Sequence, residues 1–303
     1  MPPASRGTDP WRGPLGHGLR RNALSRAIRA LVASTACLAA ACLAAACGGA
    51  ETEKIVVTGS STVAPLMSEI GRRYEELHPD VRVDVQTGGS SRGVADARKG
   101  LADIGMASRA AKPEEADLMW FTIARDGIAM IVNSESPIAS LPETGLTSDQ
   151  VRAIYRGEVQ SWSELGGRDA LITVVHKVEG RSTLELFLAF FGLGNAECKP
   201  DVEVGDNQQA IRTVAGDPDA IGYVSIGTAE FEAQRGTPIV LIPVDGARPS
   251  TEAVRDESFP LSRPLNLVTR AAPVGAVEDL IEFARSTAVH DLVEEQFFVP
   301  VPR

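Results

Sequence analysis

Three times along this chain a β-branched run stops at a turn of glycines and hydroxyl residues, and a run with helical spacing begins at once. The first run is Lys54–Gly59, followed by Ser60, Ser61 and Thr62, with apolar residues then at Val63, Leu66, Met67, Ile70, Tyr74 and Leu77. The second is the alternating run Val81–Gln86, followed by Gly88, Gly89, Ser90 and Ser91 and the helix-like stretch VADARKGL. The third is Leu171–Lys177, then Gly180, Arg181, Ser182 and Thr183, with a helix predicted over Ser182–Gly194 and closed by glycine. A period of two that changes to 3.6 across a short turn, and does so repeatedly, restricts the chain to an α/β architecture. Further strands are expected at ADIGMAS, Asp126–Asn133, Ala220–Gly227, Pro238–Val244 and Arg263–Arg270, and further helices at Thr147–Gly157, Val277–Ser286 and Val289–Phe298. With 303 residues, 44% of them hydrophobic, the chain can fill one large core or two lobes.

The turns share a chemistry as well as a position. A helix N-terminus leaves about four backbone N–H groups unpaired, and its dipole favours negative charge there. Glycine lets backbone approach a ligand closely, and serine and threonine add hydroxyl donors. Three such turns meeting in space would form a cage of neutral donors around a tetrahedral oxyanion. Two other readings stand beside this one. Ser, Thr and Gly are common helix caps and turn residues. Residues 89–93 also fit G-x-S-x-G in a strand–turn–helix context, with Ser91 as nucleophile and His290 as base of a secreted hydrolase. The histidines lack metal-ligand spacing and no phosphate-loop motif occurs, so no metal or cofactor is expected. His176 ends a strand beside the third turn, and Trp120 and Trp162 read as packing residues.

Residues 1–46 read as an export signal. Six arginines (Arg6 to Arg29) precede an uncharged apolar run from Ala30 to Ala46. The sequence CLAAACGG then resembles a bacterial lipobox, with Cys47 as the lipidated residue, Cys42 as the alternative, and Gly48–Glu53 as a tether. Without the six arginines and single acid of that leader, 24 basic and 39 acidic residues remain, a net charge of −15. That balance argues against a nucleic-acid partner. It permits an anion ligand, because local dipoles outweigh distant screened charges at short range. Cys198 is the one cysteine left for the mature chain, so no intrachain disulfide is available there.

TGSSTVAPL, GGSSRGVADARKGLADIGMASR, RDGIAMIVN, SWSELGG, AIGYVSIG and FPLSRPLNLVTR occur in this order. Together they resemble the phosphate-binding lipoproteins of Pst-type ABC importers, within the type II periplasmic binding protein fold. The resemblance runs from about Lys54 to Arg303. It implies two α/β lobes joined by crossing strands, 54–128 plus 258–303 and 129–257, with the ligand in the cleft between them. It implies contacts to inorganic phosphate from Ser61, Thr62 and Val63 (through its N–H), from Ser90 and Ser91, from Ser108, and from Lys177, Arg181, Ser182 and Thr183. It also implies a monomer that delivers its anion to a membrane permease driven by an ATPase, with no catalysis.

Two departures from the family pattern bear on the ligand. Ser108 and Arg109 stand where members of the family have an aspartate after GAS, an acceptor for the proton of phosphate. In the third turn Lys177 replaces an arginine and Arg181 replaces a serine. Glu179 is expected to pair with Lys177, and Arg181, with its planar fork, to make the bidentate oxyanion contact. Sulfate, molybdate or another oxyanion, or a sensor or scaffold role of the same fold, stay open at this point.

Overall fold

The computed structural model of the protein describes residues 52–139 and 145–302. The expected leader, and Cys47 and Cys42 as the expected lipidation residues, lie outside them. The strands are β1 (Glu53–Gly59), β2 (Val81–Thr87), β3 (Ile104–Ala107), β4 (Met119–Asn133), β5 (Thr173–Lys177), β6 (Val202–Val204), β7 (Ala220–Ser225), β8 (Ile239–Ile242), β9 (Ser262–Thr269) and β10 (Val299–Pro300). The α-helices are α1 (Ala64–Leu77), α2 (Ser90–Lys99), α3 (Ser148–Tyr155), α4 (Ser182–Phe191), α5 (Asn207–Gly216), α6 (Ile226–Gln234), α7 (Thr251–Arg255), α8 (Ala276–Ala284) and α9 (His290–Glu295).

β1 is parallel to both β2 and β3, which requires crossovers, and α1 and α2 supply them. The strand order is β2-β1-β3-β9-β4-β7-β5-β6, with β8 and β10 also paired to β4. The architecture is the α/β one that the alternating runs require.

β4 holds the fold together. Its first half pairs antiparallel with β9, and its second half pairs with β7 and β8. It supplies Ile123 and Ala124 to one core, where Ile55, Leu66, Met67 and Ile70 meet Leu265, Leu267, Leu280 and Val293 from the C-terminal end. It supplies Ile128, Met130 and Val132 to a second core with Tyr155, Trp162, Phe187 and Tyr223. The chain therefore leaves the first core along β4 and returns to it along β9.

Apolar residues at Leu184, Phe187 and Phe191 fall on one face of α4 and bury against this second core. Phe187 lies flat on Tyr223, with centroids 3.9 Å apart. Truncating such a side chain costs about 3–5 kcal/mol, so the start of α4 is held firmly in place.

Several elements differ from the sequence reading at their ends. The strand expected through Gly227 stops at Ser225, whose hydroxyl accepts from the Thr228 N–H and opens α6. The helix expected to reach Gly194 ends at Phe191, because Gly192 takes a left-handed conformation (φ 61°). α5, α6 and α7 lie where the sequence reading expects no helix.

Candidate anion-binding site

β1, β2 and β5 end at the same place in the fold, and their turns meet there. Gly59 ends β1 at φ 134°, and a Cβ on it would lie 2.3 Å from the Met106 carbonyl. Glycine is therefore required where the first turn crosses β3. Gly89, at φ 91°, would bring a Cβ within 2.7 Å of the Gly180 carbonyl. That carbonyl also accepts from the Ser91 N–H at 3.3 Å. The second and third turns thus touch through backbone, and the glycine at 89 permits it.

The hydroxyls converge on a residue that sequence reasoning missed. Arg263, buried on β9, donates from Nη1 to Ser108 Oγ (3.3 Å) and Thr183 Oγ1 (3.0 Å), and from Nη2 to Thr62 Oγ1 (3.3 Å). Its Nε and Nη2 donate to Asp126 Oδ2 at 3.1 and 2.8 Å. All five of its N–H groups are spent in this way. Asp126 Oδ1 accepts from the Gly227 N–H at 3.2 Å. The Arg263 and Asp126 side chains are 1% and 0% exposed, so each is the other's counter-charge away from water. A lone Asp in the buried end of β4 and a lone Arg in β9 were the available signal, since a buried charge requires a partner.

Because Thr62, Ser108 and Thr183 accept from a guanidinium, their own protons point elsewhere. The case is strongest for Thr62, whose Oγ1 also accepts from Asn207 Nδ2 at 3.1 Å. Both lone pairs are then in use, and the O–H can act only as a donor. Ser90 Oγ accepts from the Ser108 N–H at 3.2 Å. Ser182 Oγ is buried without a hydrogen-bond partner among the described residues. Neither α2 nor α4 receives a side-chain hydrogen bond at its first turn. The site is therefore rich in donors and poor in acceptors.

The other expected contacts are arranged differently. The Val63 N–H faces Ser60 Oγ at 3.4 Å, so the first turn caps part of itself. Ser61 lies outward, in a cavity with Asp206, Asn207 and Thr228. Ser91 donates to Glu185 Oε1 at 3.2 Å, and His290 begins α9, which packs on α1.

Lys177 is buried and donates to the Asp206 carbonyl at 2.6 Å rather than pairing with Glu179, which accepts from Asn195 instead. Burial pushes the Lys177 ammonium down to about 7; Asp206 opposes this, and Arg181 and Arg263 add to it. Behind Lys177, Tyr223 Oη accepts its N–H at 3.2 Å and meets His176 Nδ1 at 3.0 Å. Burial holds that imidazole below its usual range. Arg181 is half-buried and passes alongside Gly89; burial lowers its pKa, with Asp206 opposing. The guanidinium that gathers the hydroxyls is Arg263.

Residues 44–287 match the family model described as a PBP superfamily domain. The fold superimposes on a phosphate ABC transporter substrate-binding protein from Clostridium perfringens, solved with bound phosphate, at TM-score 0.75 and 30% identity, covering 82% of this chain and 100% of that one. It superimposes on an ABC-type phosphate transport receptor from Vibrio cholerae at TM-score 0.66 and 29% identity, covering 82% and 100%. Phosphate-binding protein PstS of Borreliella burgdorferi is 27% identical over 262 residues, 83% of this chain and 91% of that protein.

Proposed function

Because the chain belongs to the PBP superfamily, among its Pst-type phosphate-binding proteins, we propose that it captures inorganic phosphate for an ABC importer. The observation that carries this reading is the shared guanidinium: hydroxyls from two turns and a strand end accept from Arg263, which turns their protons toward one guest. In this reading Thr62, Ser90, Ser108, Ser182 and Thr183 donate to the anion. Lys177 and Arg181 supply positive charge from the third turn, and Ser61, Val63 and Ser91 line the rim. A donor-rich, water-poor cage favours a small polyanion because each hydrogen bond is stronger at low dielectric.

The same reading includes closure. The segments 54–128 plus 258–303 and 129–257 act as two lobes, hinged where β4 and β9 run side by side. The anion binds while they stand apart, and closure removes water from it. Lipidation at Cys47 would tether a monomer to the membrane, beside its permease and ATPase. A diacylglyceryl group with an N-acyl chain holds firmly where one acyl chain does not. No helix among the described residues is long and apolar enough to cross a membrane.

Native mass spectrometry of the purified protein tests the assignment. Because phosphate and sulfate add nearly equal mass, the bound anion is also released by denaturation and identified by ion chromatography; phosphate, displaced on exchange with arsenate, supports the assignment. Stable retention of sulfate with no binding of phosphate would overturn it and favour another oxyanion.

A further inference from the structure

Glu185, in the first turn of α4, makes all its charged contacts to residues on the far side of the cleft. Its Oε2 lies 2.9 Å from Lys112 Nζ and 3.5 Å from Arg109 Nε, and its Oε1 accepts from Ser91 Oγ. The receiving side is built to stay in place. Arg109 holds Glu115 through Nη1 and Nη2, each at 2.7 Å, and stacks over Trp120 at 5.6 Å. Asn266 grips its carbonyl at 2.7 Å. Nε is the remaining donor of that guanidinium; it is buried without a hydrogen bond of its own, and it faces Glu185. The Oε2 atom of Glu185 is likewise shut off from solvent. The Glu185 side chain as a whole keeps 30% of its surface in water, so the cost falls on these two covered atoms, a buried guanidinium nitrogen and a carboxylate oxygen, which oppose each other across the two segments.

We infer that Glu185 is the latch of the closed state: a positioning residue that meets the site only at its rim, through Ser91, and sets how long the bound anion is retained. This deepens the phosphate-capture reading and rests on it. On opening, Glu185 returns to water while Arg109 keeps Glu115, so the latch contributes to closure without preorganising the open form. Breaking a charge pair formed after encounter changes release far more than capture.

The test is a chase. The protein is loaded with radiolabelled phosphate and diluted into excess unlabelled phosphate, and the loss of label gives the release rate. Equilibrium dialysis gives Kd, and the two together give the association rate. Glu185→Gln is expected to release phosphate roughly tenfold faster, between the effect of an exposed pair and that of a buried one, with the association rate within about twofold. Lys112→Met is expected to act in the same direction, and the double variant to add little. Release from the native protein should quicken with salt, and release from Glu185→Gln should not. Unchanged release in both single variants, or a loss confined to the association rate, would overturn the latch. Lys112 is 38% exposed, so its variant carries the test if Glu185→Gln folds poorly. Failure of the native protein to bind phosphate would instead refute the reading on which the latch rests.

Discussion

Replacing Thr62 by valine removes one oxygen from the site and keeps the side chain's shape. The structure says what that oxygen does. It accepts from Arg263 Nη2 at 3.3 Å and from Asn207 Nδ2 at 3.1 Å, so its proton is free for an external acceptor. If that acceptor is the anion, the lost hydrogen bond is to a charged group and contributes about 1.5–3 kcal/mol. Affinity for phosphate should then fall by about 10- to 150-fold. Thr62→Val also leaves two buried N–H groups short of an acceptor, so thermal stability should fall. Thr62→Ser keeps the oxygen and loses only a methyl group. Titration calorimetry with phosphate on both variants, together with their melting curves, separates the effects. Serine should bind within a few-fold of the native protein, and valine should not. Equal phosphate affinity for the valine and serine variants would refute the reasoning, because the hydroxyl would then have no part in holding the anion.

Other outcomes follow from the same geometry. Asp126→Asn leaves Arg263 as an uncompensated buried charge, which costs about 3–5 kcal/mol; calorimetry should show Tm lower by about 6–20 °C, partly restored by phosphate. Lys177 has its folded pKa depressed to about 7 from an ordinary 10.5, so its stability contribution grows as pH rises from 7 toward 10.5, where the unfolded chain also gives up its proton. An anion favours the charged ammonium, so phosphate affinity should fall above about pH 7, and this component should be missing from the Lys177→Met profile; phosphate's own ionisation is common to both proteins and cancels in the difference. Among the described residues no carboxylate beyond Asp126 faces the cage, and Asp126 is already engaged by Arg263, so sulfate should compete for the site. Competition dialysis should give a preference for phosphate below the roughly 10⁴-fold expected of a site with a dedicated acceptor.

The turns were legible in the sequence because turn chemistry is local. Gly59, Gly89 and the hydroxyls beside them sit where the backbone must be bare and a helix must begin, and those needs are met within a few residues. Arg263 and Asp126 were not legible as a pair. They lie 137 residues apart, in strands otherwise apolar enough to read as plain sheet, and only the pairing of β4 with β9 brings them together. Asn207 was missed because α5 begins in a polar stretch, Asn207-Gln208-Gln209, which carries no apolar period at its start. Glu179 and Lys177 are close in sequence but separate in space: the lysine turns inward to the Asp206 carbonyl while the glutamate takes Asn195. Near neighbours in a turn need not be partners when one is buried and the other is not.

A crystal structure of the phosphate complex tests the central claim most directly. It should show the oxygens of one anion within hydrogen-bond distance of Thr62, Ser108 and Thr183 together, with Arg263 still on Asp126 beside them. Phosphate seated elsewhere, with those three hydroxyls donating to protein groups, would contradict the account.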